Sequence, residues 1–246
     1  MNWEKLNDQI DYLPLSEVAV KQDKWIKKHV QYTVAHSKFF QGIFAKHKIS
    51  PDEIRSLSDL KKVPTTSKKD LAKFNSDFFA VNAREVVEYV TTSGTMGHPI
   101  AIVLTKSDIA RLAYNEARSL KIAGISEDDI VQITTTLDKR FIAGVAYYLG
   151  LQKLGAASIR IGHSHPQFHW SNAGEFNPTA IIGVPSFLKN LGQYGKVNGF
   201  KGQISKAICI GEPVKAPDFK DNILATNIKK NWPIDLYSSY ASTEMA

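Results

Sequence analysis

Residues 89–99 read Tyr-Val-Thr-Thr-Ser-Gly-Thr-Met-Gly-His-Pro, a run of hydroxyls and glycines set between two β-prone stretches. Glycine lets the backbone turn tightly and bring its N–H groups close to an anion. Thr91, Thr92, Ser93 and Thr95 add hydroxyl donors suited to phosphate oxygens. The loop is not of the Walker type, which ends in Gly-Lys-Ser/Thr and runs straight into a helix. Here Pro99 and the apolar run Ile100–Leu104 follow, so the loop should bridge two strands. A second segment, Tyr240-Ala241-Ser242-Thr243-Glu244, comes two serines after the strand-like Ile234–Tyr237. At the carboxyl end of a strand it puts an aromatic face, a hydroxyl and a carboxylate where α/β proteins bind ligands. Tyr240 can stack on a planar base. Glu244 beside a polyphosphate requires a divalent cation between the two negative charges. A third strand end, Ile208-Cys209-Ile210-Gly211-Glu212-Pro213, turns sharply and should line the same crevice.

Two other patterns carry less. His163, His165 and His169 have a spacing that could hold a metal, but carboxylates are scarce nearby and Pro166 interrupts the run. An exposed loop is the expectation there. Gly162-His163-Ser164-His165-Pro166 resembles a hydrolase nucleophile elbow only superficially, since proline stands where the strained turn needs glycine.

The elements that must position these residues fall into two regions. Up to about residue 80 apolar residues recur at helical spacing, as in Trp25, Ile26, Val30 and Val34, then Phe39, Phe40, Ile43 and Phe44. Pro14, Pro51 and Pro64 punctuate the segments, and Ser67 ahead of Lys68–Leu71 reads as a helix N-cap. From residue 81 onward short β-branched runs alternate with helical stretches. The expected strands are 86–92, 100–104, 130–134, 158–161, 180–182, 207–210 and 234–237, and the expected helices 106–123, 141–154, 185–194 and 217–230. Several of the β-runs are almost continuously apolar, as in strands buried on both faces of a parallel sheet. The fold class is therefore α/β: a helical N-terminal layer (residues 1–80), then a largely parallel sheet covered by helices (residues 81–246).

The composition agrees. The chain has 246 residues, 43% of them hydrophobic and 22% charged, which excludes a disordered or collagen-like protein. The net charge of +7 is shared by both regions, without the interleaved aromatic and basic residues that stack nucleic-acid bases. Nucleic acid is not an expected partner. The longest apolar run, Phe141–Leu151, is too short to cross a bilayer, and the first residues lack a basic start followed by an apolar stretch. A single cysteine, Cys209, lies within an apolar run, which suits a reducing cytoplasm.

Taken together the motifs resemble those of the acyl-adenylate-forming superfamily. Thr91–Pro99 is similar to its phosphate-binding signature Thr-Ser-Gly-Thr-Thr-Gly-x-Pro, Gly211-Glu212-Pro213 to its Gly-Glu-Pro turn, and Tyr240–Glu244 to its Tyr-Gly-x-Thr-Glu motif. Nearer the N-terminus, Ser37-Lys38-Phe39-Phe40 and the stretch Ile54–Leu71 resemble the phenylacetate–CoA ligases within that superfamily. The resemblance implies that Thr92, Ser93, Gly94, Thr95 and Gly97 contact the phosphates of ATP. It implies that Gly211, Glu212 and Pro213 line the adenine pocket and that Tyr240 flanks the base. Thr243 is expected to reach the α-phosphate and Glu244 to hold magnesium, while Phe141 and Gly144 border the acyl pocket. The implied reaction is ATP-dependent activation of a small, aromatic carboxylic acid as an acyl-adenylate, followed by transfer to CoA. A nucleotide-binding module lacking full turnover is the alternative.

The sequence departs from the family pattern at three points within these motifs. Met96 removes a hydroxyl from the phosphate loop, His98 replaces the usual lysine with a titrating group, and Ala241 replaces a glycine. The sequence also ends two residues after Glu244, where relatives continue with a ribose-binding aspartate, a hinge and a lid domain bearing a lysine. The expectation is therefore a chain without its C-terminal lid, incomplete in turnover, with apolar surface near Tyr237–Ala246 that a second copy can cover as a homodimer.

Overall fold

The computed structural model of the chain describes residues 12–92 and 99–245. It divides into two compact units, Met1–Ser107 and Asp108–Ala246. In the first unit, α1 (Leu15–His36) and α2 (Lys38–His47) are separated by Ser37. That serine is fully buried, accepts a bond from the Phe40 N–H, and donates its hydroxyl to the Asp77 carbonyl at 2.9 Å. It thus caps one helix and pins a distant turn. Val30, Phe44 and Ile54 form a small core, and Phe39 stacks on Phe78 with ring centroids 3.9 Å apart. Ser67 caps α3 (Lys68–Lys73) as expected, in a reciprocal capping box with Asp70.

Two strands, β1 (Val86–Thr91) and β2 (Ala101–Thr105), pair antiparallel. The division between units falls at residue 107 rather than at the change of rhythm near residue 80. Asn75 explains part of this, since its amide donates to the Ala101 carbonyl at 2.7 Å and accepts from the Ala101 N–H at 3.0 Å, tying the hairpin to the helical layer.

The second unit is a parallel five-stranded sheet in the order β4-β3-β5-β6-β7. Its strands are β3 (Ile130–Ile133), β4 (Ala157–Arg160), β5 (Ala180–Gly183), β6 (Lys206–Cys209) and β7 (Asp235–Ser238). The helices are α4 (Lys106–Ile122), α5 (Ile142–Leu154), α6 (Pro166–Phe176), α7 (Pro185–Val197) and α8 (Ile223–Asn231). Burial follows strand position. The central strand β5 is buried at every residue, whereas the edge strand β4 has no buried residue and the edge strand β7 buries only Leu236. Side chains alternate between two cores, as a strand requires. Ile181, Ala207, Cys209 and Leu236 face Trp170, Leu188, Leu191 and Ile228 from α6, α7 and α8. Val131, Ile133, Ile182 and Ile208 face Leu120, Tyr147 and Leu151 from α4 and α5. The unit is a three-layer α/β/α sandwich.

Two expected elements are corrected. The helix expected over 217–230 begins only at Ile223, capped by the Asn222 side chain on the Ala225 N–H. Residues 215–221 instead form a loop in which Asp221 takes ion pairs from Lys215 and Lys229, each at 2.6 Å. The exposed loop expected at 163–169 is in large part a helix. Pro166 occupies the first turn of α6, where its missing N–H costs nothing, and His165 caps it through a bond from the Gln167 N–H. His169 is consequently buried, against Gln132 of β3 at 3.1 Å.

Candidate functional site

In the five-stranded sheet the chain passes from β3 outward to β4 and then returns to the other side of β3 as β5. The crevice at the carboxyl ends of β3 and β5 is therefore the topological switch point, where open α/β sheets bind ligands. Thr134 closes its floor: both its N–H and its hydroxyl donate to the Ile182 carbonyl, at 3.0 and 2.9 Å. Glycine is needed at 183 because a Cβ there would meet the Thr134 hydroxyl oxygen.

Along the same edge the ends of β6 and β7 carry the residues singled out from the sequence. Gly211 has φ of +76°, a conformation in which a side chain is strained, so the sharp turn after β6 requires glycine. The Glu212 carboxylate accepts from the Ser186 N–H at 2.8 Å and the Ser186 hydroxyl at 3.0 Å. It holds the first turn of α7, where a negative charge meets the positive end of the helix dipole. Glu212 thus has a structural partner that its motif did not disclose, and Pro213 follows it at the surface. After β7 the Ser239 N–H donates to the Cys209 carbonyl at 2.9 Å, and the Ser239 hydroxyl shares a 2.9 Å bond with the Tyr147 hydroxyl from α5. Burial and, behind it, the charge of Glu116 push the Tyr147 phenol up to about 12, so it stays protonated. Tyr240, just beyond, is 91% exposed, and Thr243 and Glu244 lie in a short 3-10 turn at the same edge. Cys209 itself is buried and its thiol is pushed up to about 12 by burial, which makes it inert.

The ends of β3 and β4 form the other half of this edge. Thr136 and Asp138 make a tight local pair, hydroxyl to carboxylate, and the Phe141 N–H closes the turn onto the Asp138 carbonyl at 3.1 Å. Lys139 and Arg140 have φ of +57° and +61°, an uncommon region for such residues and costly by about 1 kcal/mol or more each. Phe141, 37% exposed, is the N-cap of α5. Gly144 presses on this turn so closely that a Cβ would collide with the Thr136 carbonyl. The two residues expected at an acyl pocket are thus adjacent to a strained turn at the switch point.

The hydroxyl and glycine loop is only partly in view. Thr92 ends the hairpin, its N–H donating to the Ile100 carbonyl at 3.0 Å and its hydroxyl accepting from the Ile100 N–H at 3.1 Å. Ser93, Gly94, Thr95, Met96, Gly97 and His98 lie outside the described residues. Gly211, Glu212, Pro213, Tyr240, Thr243, Glu244, Phe141 and Gly144 all lie on the carboxyl edge of the one sheet. Sequence reading did not find Ser186, Tyr147 or Thr134. Ser186 had a usable signal, since Val184-Pro185-Ser186 follows a strand with the proline that opens α7. Among the described residues no group of three or more His, Cys, Asp or Glu side chains is placed to hold a metal.

A parallel sheet with glycine turns and exposed polar groups at its switch-point edge defines an α/β ligand-binding fold. The chain belongs to the AMP-binding enzyme family, whose pattern matches residues 25–246. It is 30% identical over 185 residues to the phenylacetate-coenzyme A ligase of Escherichia coli (strain K12), covering 75% of this chain and 42% of that protein. It is 31% identical over 169 residues to the enzyme of the same name from Pseudomonas putida, covering 68% and 38%. The fold matches the crystal structure of 2-hydroxyisobutyryl-CoA ligase in complex with 2-HIB-AMP and CoA, with a TM-score of 0.85 and 21% identity over 95% of this chain and 50% of that one. The chain spans about two fifths of the length of the curated relatives it matches. Among the described residues no helix is long and apolar enough to cross a membrane.

Proposed function

We propose that this chain supplies the nucleotide- and acid-binding part of a cytoplasmic carboxylic acid–CoA ligase. In the first step a substrate carboxylate oxygen attacks the α-phosphorus of ATP, forming an acyl-adenylate as pyrophosphate leaves. In the second the thiolate sulfur of CoA attacks the acyl carbon, forming a thioester as AMP leaves. No general base is needed for the first step, because a carboxylate is already ionised at neutral pH. Supporting the reading is family membership combined with the position of Gly211–Pro213 and Tyr240–Glu244 at one ligand-facing sheet edge.

In this reading Tyr240 stacks on adenine, Gly211–Pro213 border it, and Thr243 donates to the α-phosphate. Thr92, Ser93, Gly94, Thr95 and Gly97 bind the phosphates through hydroxyl and backbone donors. Thr243 and Glu244 offer oxygen donors on an exposed turn, a set that fits magnesium, which is usually held by one or two carboxylates with phosphate and water. When bound, magnesium neutralises charge on the phosphoryl oxygens. Phe141 and Gly144 border the acid, and the relatives' names favour an aromatic acid of the phenylacetate type. The experiment is magnesium–ATP binding by thermal shift, with pyrophosphate release measured over a panel of carboxylic acids. Glu244→Gln should weaken magnesium-dependent binding about tenfold with the fold intact. Equal shifts in wild type and variant would contradict the magnesium role. Nucleotide binding without pyrophosphate release from any acid would leave only a nucleotide-binding module.

A further inference from the structure

The ends of β3 and β4 form an open cleft of about 600 Å³, within the size range of small-molecule sites. Its walls are unlike those of a pocket for an aromatic ring alone. Beside the apolar Leu137 and Ile161, its lining carries the charged or titratable Lys139, Arg160, His163 and Asp138. The one carboxylate among them is engaged locally, since Asp138 accepts from the Thr136 hydroxyl. Two permanent cations and an imidazole therefore share a concave surface with a single, already partnered, negative charge. Such a concavity focuses positive potential.

Three features make this a built arrangement. Arg160 is the last residue of β4, and its guanidinium lies over the Tyr148 ring of α5 at 4.9 Å, which orients a planar fork suited to a carboxylate or phosphate. Lys139 is presented by a left-handed turn that lysine seldom adopts, and Gly144 packs against the neighbouring Thr136 carbonyl. Gly162 also has positive φ, +69°, where the chain leaves β4 and turns to His163. The turn that displays Lys139 is held in a conformation an ordinary surface loop would avoid, whereas glycine takes up that of Gly162 without strain.

We infer that the acid activated here carries a second negatively charged group, and that Lys139, Arg160 and His163 bind this far group while the reacting carboxylate faces the nucleotide over β5, β6 and β7. The inference rests on the acid-activation reading and narrows its substrate class to dianionic acids. An aromatic spacer between the two groups is compatible with the relatives' substrate type.

Calorimetric titration of the chain with 4-carboxyphenylacetate, phenylacetate and the neutral isostere 4-carbamoylphenylacetate tests it. The dianion should bind at least tenfold more tightly than the other two. Lys139→Asn removes the charge with a residue that tolerates the left-handed backbone, and Arg160→Gln removes the other cation from a strand end. Each should abolish most of the preference. Circular dichroism confirms that the variants are folded, and the variant that keeps its fold decides if the other does not. Equal binding of the three acids by wild type, or a preference untouched by both variants, would overturn the inference. So would variants that weaken binding of 3′,5′-ADP but not of the dianion, since the cavity would then serve the phosphates of the thiol carrier. Magnesium–ATP binding on the same proteins separates the two readings. A charge-dependent acid preference without nucleotide binding refutes acid activation and keeps an anion site. Nucleotide binding and pyrophosphate release without the preference refute only the dianionic class.

Discussion

The two edges of the five-stranded sheet treat polar groups in opposite ways. At the amino edge Asp129 is 7% exposed, and it accepts from the Ser126 N–H at 2.8 Å, the Thr179 hydroxyl at 2.6 Å and the Lys206 ammonium at 3.5 Å. Burial pushes its carboxyl up, but the bonds from Thr179 and Ser126 and the charge of Lys206 outweigh it and hold the group below the usual carboxylate range. At the carboxyl edge Lys139, Arg160, Tyr240 and Glu244 are all exposed, and the turns carrying Lys139, Arg140 and Gly211 have positive φ. At Asp129 the amino edge matches a buried charge internally, whereas the turn after β3 at the carboxyl edge holds Lys139 and Arg140 in a costly left-handed conformation. That asymmetry is what a binding site at the carboxyl ends of parallel strands demands.

The largest effect is expected at the contact between α5 and the strained turn. Gly144→Val should cost about 3 kcal/mol, the upper end of the usual overpacking range, because the new side chain meets backbone that cannot retreat. Urea unfolding midpoints measure it, and a cost below about 1 kcal/mol would show the turn to be pliable. Asp129→Ala attacks the opposite edge. It strands the Ser126 N–H and Thr179 hydroxyl and should cost about 2–3 kcal/mol, with magnesium–ATP affinity unchanged in the folded protein. A large change in affinity at constant fold would erase the distinction between the edges.

A pH effect of similar size sits beneath the sheet. Burial, reinforced by the charge of His163, lowers His169 from 6.5 to about 4. Above pH 6.5 both folded and unfolded states hold a neutral imidazole. As pH falls from 6.5 toward 4 only the unfolded state takes up the proton, so stability is lost through that window, by about 3 kcal/mol when complete. Glu116 acts in the reverse sense. Burial raises it from 4.5 to about 7, so its contribution is intact below pH 4.5 and is lost as pH rises through 7. Unfolding midpoints of His169→Gln and Glu116→Gln, compared with wild type from pH 4.5 to 8, should remove these two slopes separately. The smallest effect is expected at the β6 turn. Glu212→Ala removes two bonds at a partly exposed helix start and should cost about 1 kcal/mol in the same assay.

Much of this arrangement is legible in the sequence. All seven strands are found near their expected positions, because apolar β-branched runs bounded by turn residues have few alternatives in an α/β chain. Gly211 and Tyr240 are legible because glycine at a strand end and an aromatic beyond one are local signals. What escaped reading depends on where the chain goes next. Pro166 looks like a break in isolation and is a helix start in context, and that reversal buries His169. The true start of α8 was hidden because Pro217–Lys220 has no local feature announcing that Asp221 is bound to Lys215 and Lys229. Lys139 and Arg160 lie in separate segments joined by α5, and only the parallel pairing of β3 with β4 brings them to one cavity. Nor does a Lys-Arg pair announce a left-handed turn, since the residues that favour one are glycine and asparagine.

Ligands should engage the carboxyl edge of the sheet and not its amino edge. Hydrogen–deuterium exchange of the chain with and without magnesium–ATP tests it directly. Exchange should slow at Gly211–Glu212 and Tyr240–Glu244, with no change at Ser126–Asp129, Thr179 and Ser205. Slowing at the amino edge, or no slowing at the carboxyl edge at nucleotide concentrations that saturate binding, would contradict it.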